Sequence, residues 1–448
     1  MSPVVDTLGP GGRTVNLAFV VPRYGVEVVG GAELGARMLA ERLARRPGWT
    51  VEVLTTCARD HMTWADAYPA GEETVNGVTV HRFPTAVGRP PEFFAYSERL
   101  LSHPAAATVA EAERFVELQG PTSPGLVEAV AGGGHDLLAF YPYLYATTVR
   151  GLPAVADRSV MHPAAHDEPA LRLPVFGPVF SAAAGFAHHT EAERRLVERL
   201  FPVGDRPQAI VGLGYEAPPA PAAGPTTPPA SLGPLAGRPY LLSLGRVDGL
   251  KGTTMLAAFF AAYKARRPGP LGLVVAGPVT AQPPAHPDVV VTGAVDEAEK
   301  WALLRGATAF VQPSAHESFS IVLLEAWSQG LPVVVNARCE VTREHCELSG
   351  GGLWFDGYAS FEVTIDRLLD DDRLRRGLGR RGQAFGEARF RWPAVLDRYE
   401  RLVGSVLERR AAGRARPRGP AGPRGPAVVE SPGRPAGAEG PEGSDEAG

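Results

Sequence analysis

The chain has 448 residues, of which 52 are Gly and 43 are Pro, with 44% hydrophobic and 21% charged residues. Those last two fractions suit a globular protein with a sizeable core and exclude wholesale disorder and a collagen-like rod. A formal net charge of -4 excludes a nucleic-acid binder that works by bulk positive charge.

The length exceeds what one core usually serves, so two domains are expected. In chain order, short apolar runs predict strands at 16–21, 51–55, 78–83, 137–140, 159–161 and 185–188, with helices over 32–45 and 191–201. A Pro-rich stretch from Ala217 to Pro239 can form neither helix interior nor central strand and predicts a linker. Strands follow at 240–244, 271–276, 289–292, 309–312 and 332–335, interleaved with helices over 254–266, 297–305 and 321–329. This alternation predicts two doubly wound α/β domains whose ligands bind where strands run into helices, in a cleft between them. An amphipathic pattern over 390–410 predicts a final helix. From Ala411 to Gly448 almost no apolar side chain is present, and the tail is expected to be disordered. The domain boundaries expected are thus 14–216, 217–239 as linker, 240–389, 390–410 as a final helix, which the family resemblance given below implies crosses back to the first domain, and 411–448 as tail.

Cys57, Cys339 and Cys346 are too few and too scattered for a disulfide framework or a zinc site, which predicts reduced thiols in a cytoplasmic setting. No apolar run reaches the length needed to span a bilayer, and no signal-peptide core is expected at the N-terminus, leaving only peripheral contact with the inner membrane face.

Three loops carry the chemistry. After the first strand, Gly30-Gly31-Ala32-Glu33 opens a helix, where backbone amides and the helix dipole attract an anion. After the linker, Gly245 ends a strand, Arg246 follows, and Lys251-Gly252 precedes a helix; an Arg fork and a Lys point charge aimed at one crevice suit a diphosphate. Only Lys251, Lys264 and Lys300 are lysines in this Arg-rich chain. Then comes Gln312-Pro-Ser-Ala-His-Glu317-Ser-Phe319-Ser320-Ile321, with Ser320 as the expected N-cap of a helix that contains Glu325. One carboxylate before the amides of Ser320 to Val322 and one after them can hold hydroxyls on both sides of a diphosphate. A glycosidase pairing of Glu317 and Glu325 has no use for the surrounding phosphate-binding elements. Neither domain has the full G-x-G-x-x-G dinucleotide fingerprint.

Glu317 and Glu325 form an E-x7-E motif, and with Gly245-Arg246, Lys251-Gly252 and Gly30-Gly31 the chain resembles the retaining family-4 glycosyltransferases of GT-B fold over roughly residues 14 to 410. That resemblance implies a hexose moved from a nucleotide diphosphate sugar to a hydroxyl acceptor, on a polysaccharide, a lipid-linked sugar or a small metabolite, with no metal and no cofactor. It implies that Glu317 holds the donor sugar and Glu325 the ribose. Arg246 and Lys251 would bind the diphosphate, with the amides near Phe319, Ser320 and Ile321. It also implies a first-domain histidine near the transferred sugar, assigned to His166 rather than His162. The chain departs from the family pattern in having Gly212-Leu-Gly214-Tyr-Glu216 before the linker and Ser320 where Gly is frequent. A sugar-nucleotide epimerase or a non-catalytic sugar-nucleotide binder would share the architecture. Segment 91–124 is the expected acceptor side.

Overall fold

In the computed structural model, residues 13–415 are described except 29, 217 and 219–228. The first domain is an eight-stranded sheet. Its strands are β1 (Val15–Val20), β2 (Trp49–Thr56), β3 (Gly71–Val75), β4 (Val78–Phe83), β5 (Leu137–Phe140), β6 (Ser159–Met161), β7 (Gly185–His188) and β8 (Gln208–Ile210). Their spatial order is β3-β4-β2-β1-β5-β6-β7-β8, and every neighbouring pair is parallel except β3 with β4. The second domain has β9 (Tyr240–Leu244), β10 (Gly272–Ala276), β11 (Val289–Gly293), β12 (Ala309–Gln312), β13 (Val333–Asn336) and β14 (Gly352–Phe355), all parallel, in the order β11-β10-β9-β12-β13-β14. Central strands such as β5, β9 and β12 are buried along their whole length, as parallel strands covered by helices on both faces must be.

Both sheets reverse their strand order beside the first strand of the domain, β1 in one and β9 in the other. The crevices at the carboxyl ends of those strands are where a doubly wound sheet presents loops to a ligand. The Gly30-Gly31 loop follows β1, and the Arg246 to Gly252 loop follows β9.

Three sequence expectations change. The linker does not run to Pro239: Ala230–Leu235 form a 3-10 helix, and Leu232 and Leu235 are buried in the core of the second domain. Two leucines spaced three apart gave it an apolar face that the Pro count concealed. The final helix is longer than expected, Trp392–Ala415, so the first residues assigned to the tail are helical. The expected disorder of 416–448, and the linker residues 217 and 219–228, lie outside the described residues. Three strands, β3, β8 and β14, have no counterpart among the expected ones.

The helix Trp392–Ala415 leaves the second domain and packs on the first sheet, burying Val395, Leu396, Tyr399, Leu402, Val403 and Val406 against Val15, Leu39 and Ala187 of the same core. At its start the Trp392 ring lies where a Cβ on Gly214 would come within 2.4 Å, and the Arg42 guanidinium stacks over it at 4.1 Å. Gly214 is therefore a close-approach position, so the Gly212-to-Glu216 departure from the family pattern serves packing of the crossing helix.

Candidate functional site

The loop after β9 is organised by a residue that sequence reasoning passed over. Asp248 Oδ1 accepts from the Lys251 amide at 2.6 Å, its Oδ2 accepts from Arg246 Nε, and its carbonyl accepts from Thr253 Oγ1 at 2.9 Å. Burial acts to raise the Asp248 carboxyl, yet the Lys251 amide and the Arg246 guanidinium hold it below the usual carboxylate range. An Asp three residues before an amide it caps is a turn signal that was available in the sequence. Gly252 ends this turn with φ +74°, and a Cβ there would meet the Pro313 carbonyl oxygen at 2.6 Å, so only glycine fits between the two loops.

The loop after β12 lies opposite. Lys251 Nζ donates to Glu317 Oε1 at 2.7 Å, and Gln312 Nε2, at the end of β12, donates to the same oxygen at 2.8 Å. Glu317 is thus fixed through one oxygen by a cation and an amide. Gln312 was not singled out from sequence; its place as the last residue of a buried strand was the available signal. The helix Ile321–Ser328 begins at this point. Ser320 is its N-cap by position, but with φ +69° and ψ +72° it makes no side-chain cap bond, and its Oγ is buried without a partner among the described residues. The expected capping role is corrected: left-handed backbone turns the hydroxyl away from the amides it would cap, and explains why glycine is at home there.

A cavity opens between these loops and the first domain. Gly31 and Leu34 line it from the first domain, facing Arg246, Lys251, Glu317 and the Phe319–Ile321 segment. Gly30 does not line it. Its backbone is extended, and a Cβ would stand 2.3 Å from Glu33 Oε2; the glycine leaves room for the buried ion pair of Glu33 with Arg23, whose Nη2 donates to Glu33 Oε1 at 2.5 Å. The Phe319 ring points away from the cavity into an aromatic cluster with His189, His345 and Phe390, which joins both domains.

A second cavity adjoins the first, and Glu317 lines both. His166 and Asp167 enter it from the first domain, His316 and Arg338 from the second, and the His166 and His316 rings lie 5.6 Å apart. His166 Nε2 faces Glu168 Oε2 at 3.7 Å, and its Nδ1 is buried without a partner among the described residues. His162, the alternative candidate, is 1% exposed and stacks on Tyr141 at 3.9 Å, a core position. Glu325 lines neither cavity. It lies inside the helix, where Lys300 Nζ donates to its Oε1 at 2.9 Å and its Oε2 is buried without a partner. Burial pushes the Glu325 carboxyl up, against the pull of Lys300.

Among the described residues no helix is long and apolar enough to cross a membrane, and no three His, Cys, Asp or Glu side chains are gathered as metal ligands. The three cysteines are free and buried.

Comparison with known proteins bears on this geometry. Residues 229–385 match the family model described as Glycosyl transferases group 1, so the second domain, with the loops after β9 and β12, resembles a group 1 glycosyltransferase domain. The chain is 30% identical over 278 residues to a D-inositol 3-phosphate glycosyltransferase of Kineococcus radiotolerans, a match covering 55% of this chain and 63% of that protein. Among solved structures, sucrose-phosphate synthase from Thermosynechococcus elongatus superposes with a TM-score of 0.63 at 19% identity, covering 89% of this chain and 99% of that one. Anabaena HepE in complex with UDP and glucose superposes with a TM-score of 0.56 at 15% identity, covering 90% and 99%. The fold is therefore GT-B, two Rossmann-like domains facing one cleft.

Proposed function

We propose that this protein is a retaining glycosyltransferase of family-4 type that moves a hexose from a nucleotide diphosphate sugar to a hydroxyl acceptor. The observation that carries this reading is the single carboxylate of Glu317, gripped by Lys251 and Gln312 and shared between a cation-lined cavity and one that holds His166. A donor whose diphosphate lies against Arg246, Lys251 and the start of the helix Ile321–Ser328 places its sugar at Glu317 and beside His166.

Breaking the bond from the anomeric carbon to the phosphate oxygen builds negative charge on the leaving diphosphate. A guanidinium, an ammonium and a helix N-terminus already oriented toward it stabilise that charge without reorganisation, so the chemistry needs no metal. The acceptor hydroxyl attacks from the side the diphosphate leaves, which retains the anomeric configuration. The family resemblance assigns the ribose hydroxyls to Glu325; because its unpartnered Oε2 is buried, donor binding has to open a path to that oxygen. The acceptor enters from the first domain, and the named activity of the Kineococcus relative makes a phosphorylated polyol the first acceptor to try.

The test incubates the purified protein with UDP-, GDP- and ADP-hexoses, with and without candidate acceptors, and follows nucleoside diphosphate release. Acceptor-dependent release supports transfer, and interconversion of epimers with the nucleotide intact would indicate an epimerase instead. Lys251→Ala and Glu317→Ala are each expected to lower turnover at least about a hundredfold, comparable to removing one strong contact to a transition state. Wild-type rates in both variants would overturn the site assignment.

A further inference from the structure

Glu193 is 1% exposed, lines the same cavity as His166, and has no part in the reaction just described. It occupies the third position of the helix Glu191–Leu200, whose N-cap Thr190 accepts from the Glu193 amide at 3.1 Å. From there its carboxylate divides. Oε2 turns back to accept from the His189 amide at 2.5 Å, which is what an acidic residue in a first helical turn does for unpaired N–H groups. Oε1 leaves the helix and accepts from the Ala165 amide at 2.7 Å. Helix capping does not account for that second bond.

What it holds is a loop under strain. Ala164 has φ +50°, a left-handed conformation that costs a residue with a Cβ but not a glycine. The loop is anchored before this point, where the Pro163 carbonyl accepts from the Tyr143 amide at 3.2 Å, and after it, where Glu168 Oε1 accepts from Tyr143 Oη at 2.8 Å. Between them, Ala164 to His166 are drawn inward at the Ala165 amide. Two N–H groups converge on one side chain, one on each of its oxygens. A carboxyl group accepts from both, whereas a glutamine would turn its own N–H bonds against one of the amides.

We infer that Glu193 is a positioning residue: by holding the Ala165 amide it keeps the Ala164 turn left-handed and so sets where His166 stands in the cavity beside Glu317. Burial raises the Glu193 carboxyl to about 8, and the His189 and Ala165 amides pull against that rise. The link to turnover rests on the transferase reading; the link to the loop does not.

The experiment separates the two. Glu193→Gln, His166→Ala and the double variant are compared for nucleoside diphosphate release, and amide hydrogen exchange is followed across 162–168. Glu193→Gln is expected to lower kcat about ten- to a hundredfold, as a misplaced group of about 1 Å does, with the donor KM changed less than about twofold. It is expected to cost nothing further in the His166→Ala background, and to speed exchange at Ala165. Adding Ala164→Gly to Glu193→Gln recovers activity, because glycine adopts the turn without the clamp. Independent, multiplicative losses for Glu193 and His166, or unchanged exchange at Ala165, would overturn the inference. If the wild-type protein releases no nucleoside diphosphate from any donor, the transferase reading fails and the exchange result alone decides the role of Glu193. If Glu193→Gln does not fold, protection of the Ala165 amide in the wild-type protein decides it, and free exchange there overturns it.

Discussion

All three lysines of the chain hold carboxylates, and two of them hold the two glutamates of the E-x7-E motif: Lys251 pairs with Glu317 at 2.7 Å and Lys300 with Glu325 at 2.9 Å. In a chain that uses arginine almost everywhere, a compact ammonium stands at each of these carboxylates. Lys251 was legible because it sits in a glycine-flanked loop after a strand. Lys300 was not, because its helix, beginning Glu297-Ala-Glu-Lys, reads as a solvated surface; only the fold turns it toward a residue 25 positions later. Replacing Lys300 by Met leaves the buried Glu325 with no counter-charge, which is expected to destabilise the protein by about 3 kcal/mol and to weaken donor binding. Glu325→Leu added to Lys300→Met restores most of the melting temperature, since an apolar pair of similar size tolerates burial. Donor affinity measured by titration calorimetry stays low in the double variant if Glu325 holds the ribose; recovery of both would show that the pair is structural only.

At the scale of elements, the fold places the site through the ends of strands and the starts of helices. Long apolar runs such as β1, β9 and β12 were readable from sequence, because a strand buried on both faces has no choice of composition. Those that were missed lie at margins: β3 reads Gly-Glu-Glu-Thr-Val and is exposed along an edge, and β8 is three residues long. Their sequences carry no burial signal because they bury little. The helix Ile321–Ser328 shows the other limit, since Ser320 satisfies the composition of an N-cap while its backbone forbids the bond. Ser320→Gly relieves the left-handed strain and removes a buried hydroxyl without a partner, against a smaller loss of unfolded-chain restriction. It is therefore expected to stabilise the protein by about 1 kcal/mol, visible as a higher melting temperature with no loss of nucleotide binding.

Across the whole molecule, the two-domain plan was legible because strand and helix patterns alternate on both sides of the Pro-rich stretch, but the way the domains are fastened was not. The fastening is spatial: Arg195 and the Ala192 amide of the first domain meet Glu344 of the second at 2.7 and 3.0 Å, and Phe319 stands among His189, His345 and Phe390. Burial keeps His188, His189 and His345 neutral, each lowered to about 4, and pushes His162 well below its usual value. The unfolded chain takes up these protons near 6.5, so stability is full above that pH and is lost as pH falls from 6.5 toward 4. Each of the three contributes about 2 kcal/mol of loss between pH 7 and pH 5, and Glu193, raised to about 8, opposes them because the folded state keeps a proton the unfolded state gives up. Urea unfolding at the two pH values is expected to show a net loss of several kcal/mol at pH 5; equal midpoints would mean these imidazoles are solvated. The crossing helix Trp392–Ala415 adds a consequence for how the protein is made. Val395, Tyr399 and Val403 complete the core of the first domain, yet they leave the ribosome after the whole second domain. During synthesis the first sheet must therefore wait, with one apolar face uncovered, until the helix that follows the second domain has emerged. The first domain's folding is thus tied to the synthesis of that helix rather than to its own emergence.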